Sequence, residues 1–115
     1  MTTDNDTRDT TGTQTTAAGA LLAMLHAHPD LPTGNVRLEL LQADDRRSFE
    51  WGITVRHHDA LDAFEQWRAA LGFDPDRVAL TCDDFVNWLE VKGTWCGVPV
   101  EIIGYFTSAD PESGL

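Results

Sequence analysis

The chain has 115 residues and carries 19 acidic against 8 basic side chains, a formal charge of −11. That allows one domain with a core built without disulfides or metals. It argues against direct nucleic-acid binding, which needs clustered Lys and Arg, and against an anionic membrane surface.

The first 15 residues read as a disordered arm. Met1 to Thr16 holds eight threonines and three aspartates and no large apolar side chain beyond the initiator, too little to offset chain entropy. The N-terminus also lacks the basic region and apolar run of a secretion signal, and no stretch approaches a membrane span, so a cytoplasmic location is expected. Residues 16–108 form the expected domain, and 109–115, with Pro111 and Gly114, a loose tail.

A first helix is predicted from Thr15 or Thr16 to Ala27, with Leu21, Leu22, Met24, Leu25 and His28 as its apolar stripe and Pro29 as its stop. Asp30 to Gly34 is a loop. Val36, Leu38 and Leu40 alternate with polar residues, as do Phe49, Trp51, Ile53 and Val55. These are two strands, joined as a hairpin by a polar turn at Asp44-Asp45-Arg46-Arg47. The second helix carries Leu61, Phe64, Trp67, Arg68 and Leu71 at helical spacing. Asp59 is its expected cap, Gly72 its left-handed stop, and Phe73 folds back on its last turn.

Val78, Leu80 and Cys82 alternate as a third strand. A turn at Asp83-Asp84 would set Val78 against Leu89 and Cys82 against Phe85. Residues 85–106 read as one long hairpin about Cys96-Gly97, with Trp95 facing Val98, Val91 facing Ile102 and Lys92 facing Glu101. Leu89, Val91, Trp95, Val98, Val100 and Ile102 then share the inner surface. The predicted fold is α+β: an antiparallel sheet of four to five strands with two helices on one face, in the order α-β-β-α-β-β-β.

Chemistry is sparse. Cys82 and Cys96 fall at opposite ends of a predicted strand, roughly 35 Å apart at about 3.3 Å per residue, so two free thiols are expected, with Cys82 turned into the core. There is no nucleophile elbow and no phosphate-cradling loop. The adjacent His57-His58 invite a metal reading, with Glu101 as a further ligand, yet neighbours on a strand point to opposite faces. Both histidines are read as structural and no cofactor is expected. Glu101, between Val100 and Ile102, is the carboxylate in the most apolar context, and it pairs with Lys92 across the hairpin.

The four tryptophans divide by parity. Trp51, Trp67 and Trp95 fall on core positions, whereas Trp88 falls on the outer sheet face beside Tyr105 and Ile103. Such an apolar patch fits a contact surface. The candidate partner-binding residues are therefore Trp88, Ile103 and Tyr105, with Glu90 and Glu101 at the rim. The expected partner is another protein or a second copy of the chain.

Two resemblances add context. The helix ending in His28-Pro29-Asp30-Leu31-Pro32, the Phe64, Trp67 and Leu71-Gly72 helix, and Val91 to Val100 resemble a group of small actinobacterial proteins of the kind seen in Streptomyces and its phages. That likeness implies a setting for an accessory protein. Residues 53–106, in strand, helix and three-strand order, are similar to one module of the vicinal-oxygen-chelate, or glyoxalase-like, superfamily, with Phe64 and Leu71-Gly72-Phe73 matching its helix. This implies a metal-dependent dimeric enzyme with ligands near His57 or His58 and near Glu101, although Glu65 stands where that family commonly has an aromatic residue. The acidic charge alone raises a third expectation, an inhibitor of a DNA-binding protein.

Overall fold

A computed structural model describes residues 10–42 and 48–107. The elements are α1 (Thr11–Ala27), β1 (Asn35–Gln42), β2 (Phe49–His58), α2 (Leu61–Leu71), a 3-10 turn at Pro75–Arg77, β3 (Ala79–Cys82), β4 (Val86–Trp95) and β5 (Val98–Thr107). The α+β class and element order are as predicted. The expected polar turn at residues 44–47, most of the expected arm and the tail lie outside the described residues.

The sheet order is β1-β2-β5-β4-β3. Every junction is antiparallel except β2 with β5, which run parallel, with Ile53 opposite Val100 and Val55 opposite Ile102. Three pairs of consecutive strands supply the antiparallel junctions. The parallel one arises because α2 carries the chain across the sheet and β5 then returns into the gap between β2 and β4. The β4–β5 hairpin has the predicted register, Trp95 opposite Val98 and Val91 opposite Ile102. Cys96 and Gly97 both take positive φ, 52° and 78°, the geometry of a two-residue turn matched to strand twist.

The β3–β4 register differs from expectation by two residues: Leu80 meets Leu89 and Cys82 meets Asn87. The turn is displaced by one residue, to Asp84-Phe85, because Asp83 N–H bonds to the Val86 carbonyl at 3.0 Å, leaving Phe85 at the tip, 85% exposed. A slip of two preserves which face each residue occupies.

Both helices pack on one face, over β1, β2 and β5. The core beneath them joins Ile53, Val55, Val91, Val98, Val100 and Ile102 of the sheet to Phe64 and Trp67 of α2 and to Ala17, Ala20 and Met24 of α1. Thus α1 presents small residues, and the expected stripe is corrected: Leu22 and Leu25 face solvent. It also starts earlier than predicted, at Thr11, because Thr10 caps it by accepting from Thr13 N–H at 3.3 Å. Asp59 does not cap α2. Its left-handed backbone (φ 55°) sends its N–H to the Tyr105 carbonyl at 2.8 Å, and Ala60 becomes the capping position without a side-chain bond.

At the far end of α2 the predicted stop is present. Gly72 N–H bonds Ala69 and Phe73 N–H bonds Arg68, with Gly72 at φ 74°, a Schellman closure. The Phe73 ring then lies directly on Gly93 of β4. Cys82 has inner-face parity but sits on edge strand β3, to the side of the two helices, and is exposed rather than in the core; Cys96 is also exposed, and both are free thiols. No described helix is long and apolar enough to cross a membrane.

Candidate functional site on the helix-free face

Strand parity assigns the other face of the sheet. Across neighbouring strands it carries His58, Tyr105, Trp88 and Thr81 in one row, Arg56, Ile103, Glu90 and Ala79 in the next, then Arg37, Thr54, Glu101 and Lys92. The parallel β2–β5 junction brings His58 beside Tyr105, and the hairpin brings Tyr105 beside Trp88.

The first row is aromatic. His58 stacks on Tyr105 with ring centres 4.9 Å apart and planes 15° apart, and Trp88 tilts against the other side of Tyr105 at 6.1 Å. Trp88 Nε1 donates to Glu90 Oε1, two residues on in β4, at 3.0 Å, which fixes the indole along its strand. Trp88 and Tyr105 are half-buried and His58 is exposed. Ile103 lies below them at 6% exposure. Of the expected contact residues, it is a floor to the patch rather than part of its surface.

The charged rows are paired internally. Arg56 holds Glu39 with two bonds of 3.3 and 3.1 Å, and this keeps the Glu39 carboxyl below the usual range. Lys92 Nζ lies 4.0 Å from Glu101 Oε2, the predicted cross-hairpin pair. Burial nonetheless pushes the Glu101 carboxyl up, with Glu90 adding to the rise and Lys92 and Arg56 opposing it. Beyond these rows a groove of about 450 Å³ crosses the sheet, bordered by Leu41, Glu50, Pro99, Thr94 and Arg77.

Arg37, Arg56, Arg77 and Lys92 therefore lie on or beside this face, opposed by Glu39, Glu50, Glu90 and Glu101. Among the described residues Arg68 is the cation found elsewhere, and it bonds Glu65 on α2. Among the described residues the excess of negative charge sits on the helix side and loops, at Asp30, Asp59, Asp62, Asp74, Asp76, Asp83 and Asp84.

The structure does not bring His57, His58 and Glu101 together. His57 points under α2, 3% exposed, 6.0 Å from the Trp67 ring and against Gly34. Burial holds its imidazole below the usual range, with Asp62 opposing that shift and His58 adding to it. His58 is on the opposite face, in register with Tyr105, four residues along β5 from Glu101 and so about 13 Å away. No group of three metal-ligating side chains occurs among the described residues. No family model matches the chain, nor does any curated protein or solved structure.

Sequence reading singled out His58 only as a candidate metal ligand, not as part of the aromatic row, and missed Arg56 and the groove. The signal for His58 was its parity, which it shares with Arg56 and Thr54. Its neighbour Tyr105, though, becomes a neighbour only once β5 has inserted beside β2.

Proposed function

We propose that the chain is a protein-interaction module whose docking surface is the helix-free face, centred on His58, Tyr105 and Trp88 with Glu90 and Glu101 at the rim. The observation that carries this reading is a stacked aromatic row on the one sheet layer that neither helix covers. Planar side chains held in place by their neighbours offer contact area at little further entropic cost. The charges beside the aromatic row balance, with Arg37 and Arg56 paired to Glu39 and Lys92 to Glu101, so the face suits a partner of low net charge. A DNA mimic would instead keep its carboxylates together, whereas Glu39 and Glu101 are matched by Arg56 and Lys92. On this reading the protein is an accessory factor of the cytoplasm, in keeping with its likeness to small actinobacterial and phage proteins.

The test is site-specific photo-crosslinking of the full chain in a lysate of its own cells. A crosslinker at Tyr105 or Trp88 is expected to capture a discrete partner, and Trp88→Ala introduced beside a crosslinker at Tyr105 is expected to reduce that capture without changing the fold. A crosslinker at Leu22 on the exposed side of α1 is the control. Capture from Leu22 but not from position 88 or 105 would refute the assignment.

A further inference from the structure

β3 is an edge of the sheet, and its free side can be read residue by residue. Asp83 N–H bonds the Val86 carbonyl, which makes Asp83 and Val86 a hydrogen-bonded pair of the ladder. In an antiparallel ladder such pairs alternate along the strand. With Cys82 opposite Asn87 and Thr81 opposite Trp88, Ala79 and Thr81 direct their backbone groups to β4. Those of Leu80 and Cys82 therefore point outward, away from the sheet. The same two residues carry their side chains on the helix-bearing face, where Leu80 is 58% exposed.

Edge strands in monomers are commonly guarded by Lys, Pro, a bulge or an inward charge. Ala79-Leu80-Thr81-Cys82 has none of these, although it is short. The other edge, β1, carries the charged Arg37 and Glu39 in its first half.

We infer that a second copy of the chain adds its own β3 to this edge, antiparallel, about a two-fold axis at Leu80. Leu80 then faces Leu80 of the second copy, Val78 faces Cys82, Ala79 faces Thr81, and Arg77, at the end of the 3-10 turn that leads into β3, comes beside Asp83. Charge complementarity selects this alignment. Arg77 makes no ion pair among the described residues, and here it meets a carboxylate twice, once on each side of the axis. A shift by one residue would set inner-face side chains against outer-face ones. A shift of the axis to Ala79 or Thr81 would separate Arg77 from Asp83. The cost is Asp76 opposite Asp84 at the exposed ends, where repulsion is weak. The product is a ten-stranded sheet with the helices of both copies on one side. This pairing uses an edge, not the helix-free face, and does not depend on the function proposed above.

Sedimentation velocity of the full chain over a dilution series is expected to show a monomer–dimer equilibrium. Leu80→Pro removes an outward N–H that β4 does not use, a place where an edge strand tolerates proline, and is expected to weaken dimerisation at least about tenfold, or 1.4 kcal/mol. Arg77→Asp is expected to weaken it too, and Arg77→Asp with Asp83→Arg to restore it, a rescue that does not depend on Leu80→Pro folding. In a Cys82→Ser, Cys96→Ser background, Leu80→Cys is expected to give a covalent dimer on oxidation, since facing bonded residues have Cα atoms about 5.5 Å apart. A wild-type chain that stays monomeric throughout, or a dimer that survives Arg77→Asp and gains nothing from the charge swap, overturns the inference.

Discussion

Gly93→Ala tests how α2 is locked to the sheet. A Cβ at position 93 would lie 2.4 Å from Cε1 of Phe73 and 2.7 Å from its Cδ1 and Cζ. Carbon atoms in contact sit about 3.5–4.0 Å apart, so the ring must retreat by more than about 1 Å. The Gly93 backbone is outside the left-handed region, so the methyl group itself is the whole perturbation. Phe73 is buried, and its full burial is worth about 1.5–3 kcal/mol; overpacking elsewhere costs about 1–3 kcal/mol. The expected loss is therefore about 2 kcal/mol. Phe73→Ala alone should cost about 3–4 kcal/mol. In that background Gly93→Ala becomes neutral or mildly favourable, since alanine is the better strand residue. Urea unfolding followed by tryptophan fluorescence on the four proteins gives the coupling directly. Additive effects, with Gly93→Ala costing the same with and without the phenyl ring, would refute the argument.

Two further outcomes follow from backbone and burial. His57 is kept neutral in the fold, whereas an unfolded histidine takes a proton near pH ~6.5. Its contribution is thus intact above that pH and is lost as pH falls through it, at up to about 1.4 kcal/mol per pH unit until the depressed folded-state value is passed. Urea midpoints between pH 7.5 and 5 should fall for the wild type and flatten in His57→Gln; identical slopes would remove His57 as the cause. Cys96→Asn relieves a non-glycine residue at φ 52° ahead of Gly97 and installs the preferred residue pair for this turn. It should stabilise by about 0.5–1 kcal/mol, a melting rise of about 4 °C for a domain of this size, with Gly97→Ala moving the opposite way.

What could be read before the coordinates were known was local. The β4–β5 hairpin was legible because Cys96-Gly97 and the alternation on either side point to one register, and the Gly72-Phe73 stop because its signature occupies adjacent positions. The β3–β4 register was harder, since Asp83, Asp84 and Phe85 permit a two-residue turn at either of two positions, and either keeps Leu80 and Cys82 on the same face. The α1 stripe misled because leucines outweigh alanines on any hydropathy scale, yet close approach of a helix to β2 favours the small Ala17 and Ala20. Trp88 and Tyr105 were legible as a patch through hairpin pairing alone. His58 was not, because its place beside Tyr105 depends on residues nearly half the chain apart coming into parallel register.

The last of the described strands is the middle of the sheet. During synthesis, β1 with β2 and β3 with β4 emerge as two separate ribbons, each with a raw border that only Val98 to Thr107 can seal. A nascent chain halted before that segment clears the ribosome holds no finished core, so closure is a single late event joining both halves at once. Loss of Val98 to Thr107 should accordingly abolish folding outright rather than trim an edge.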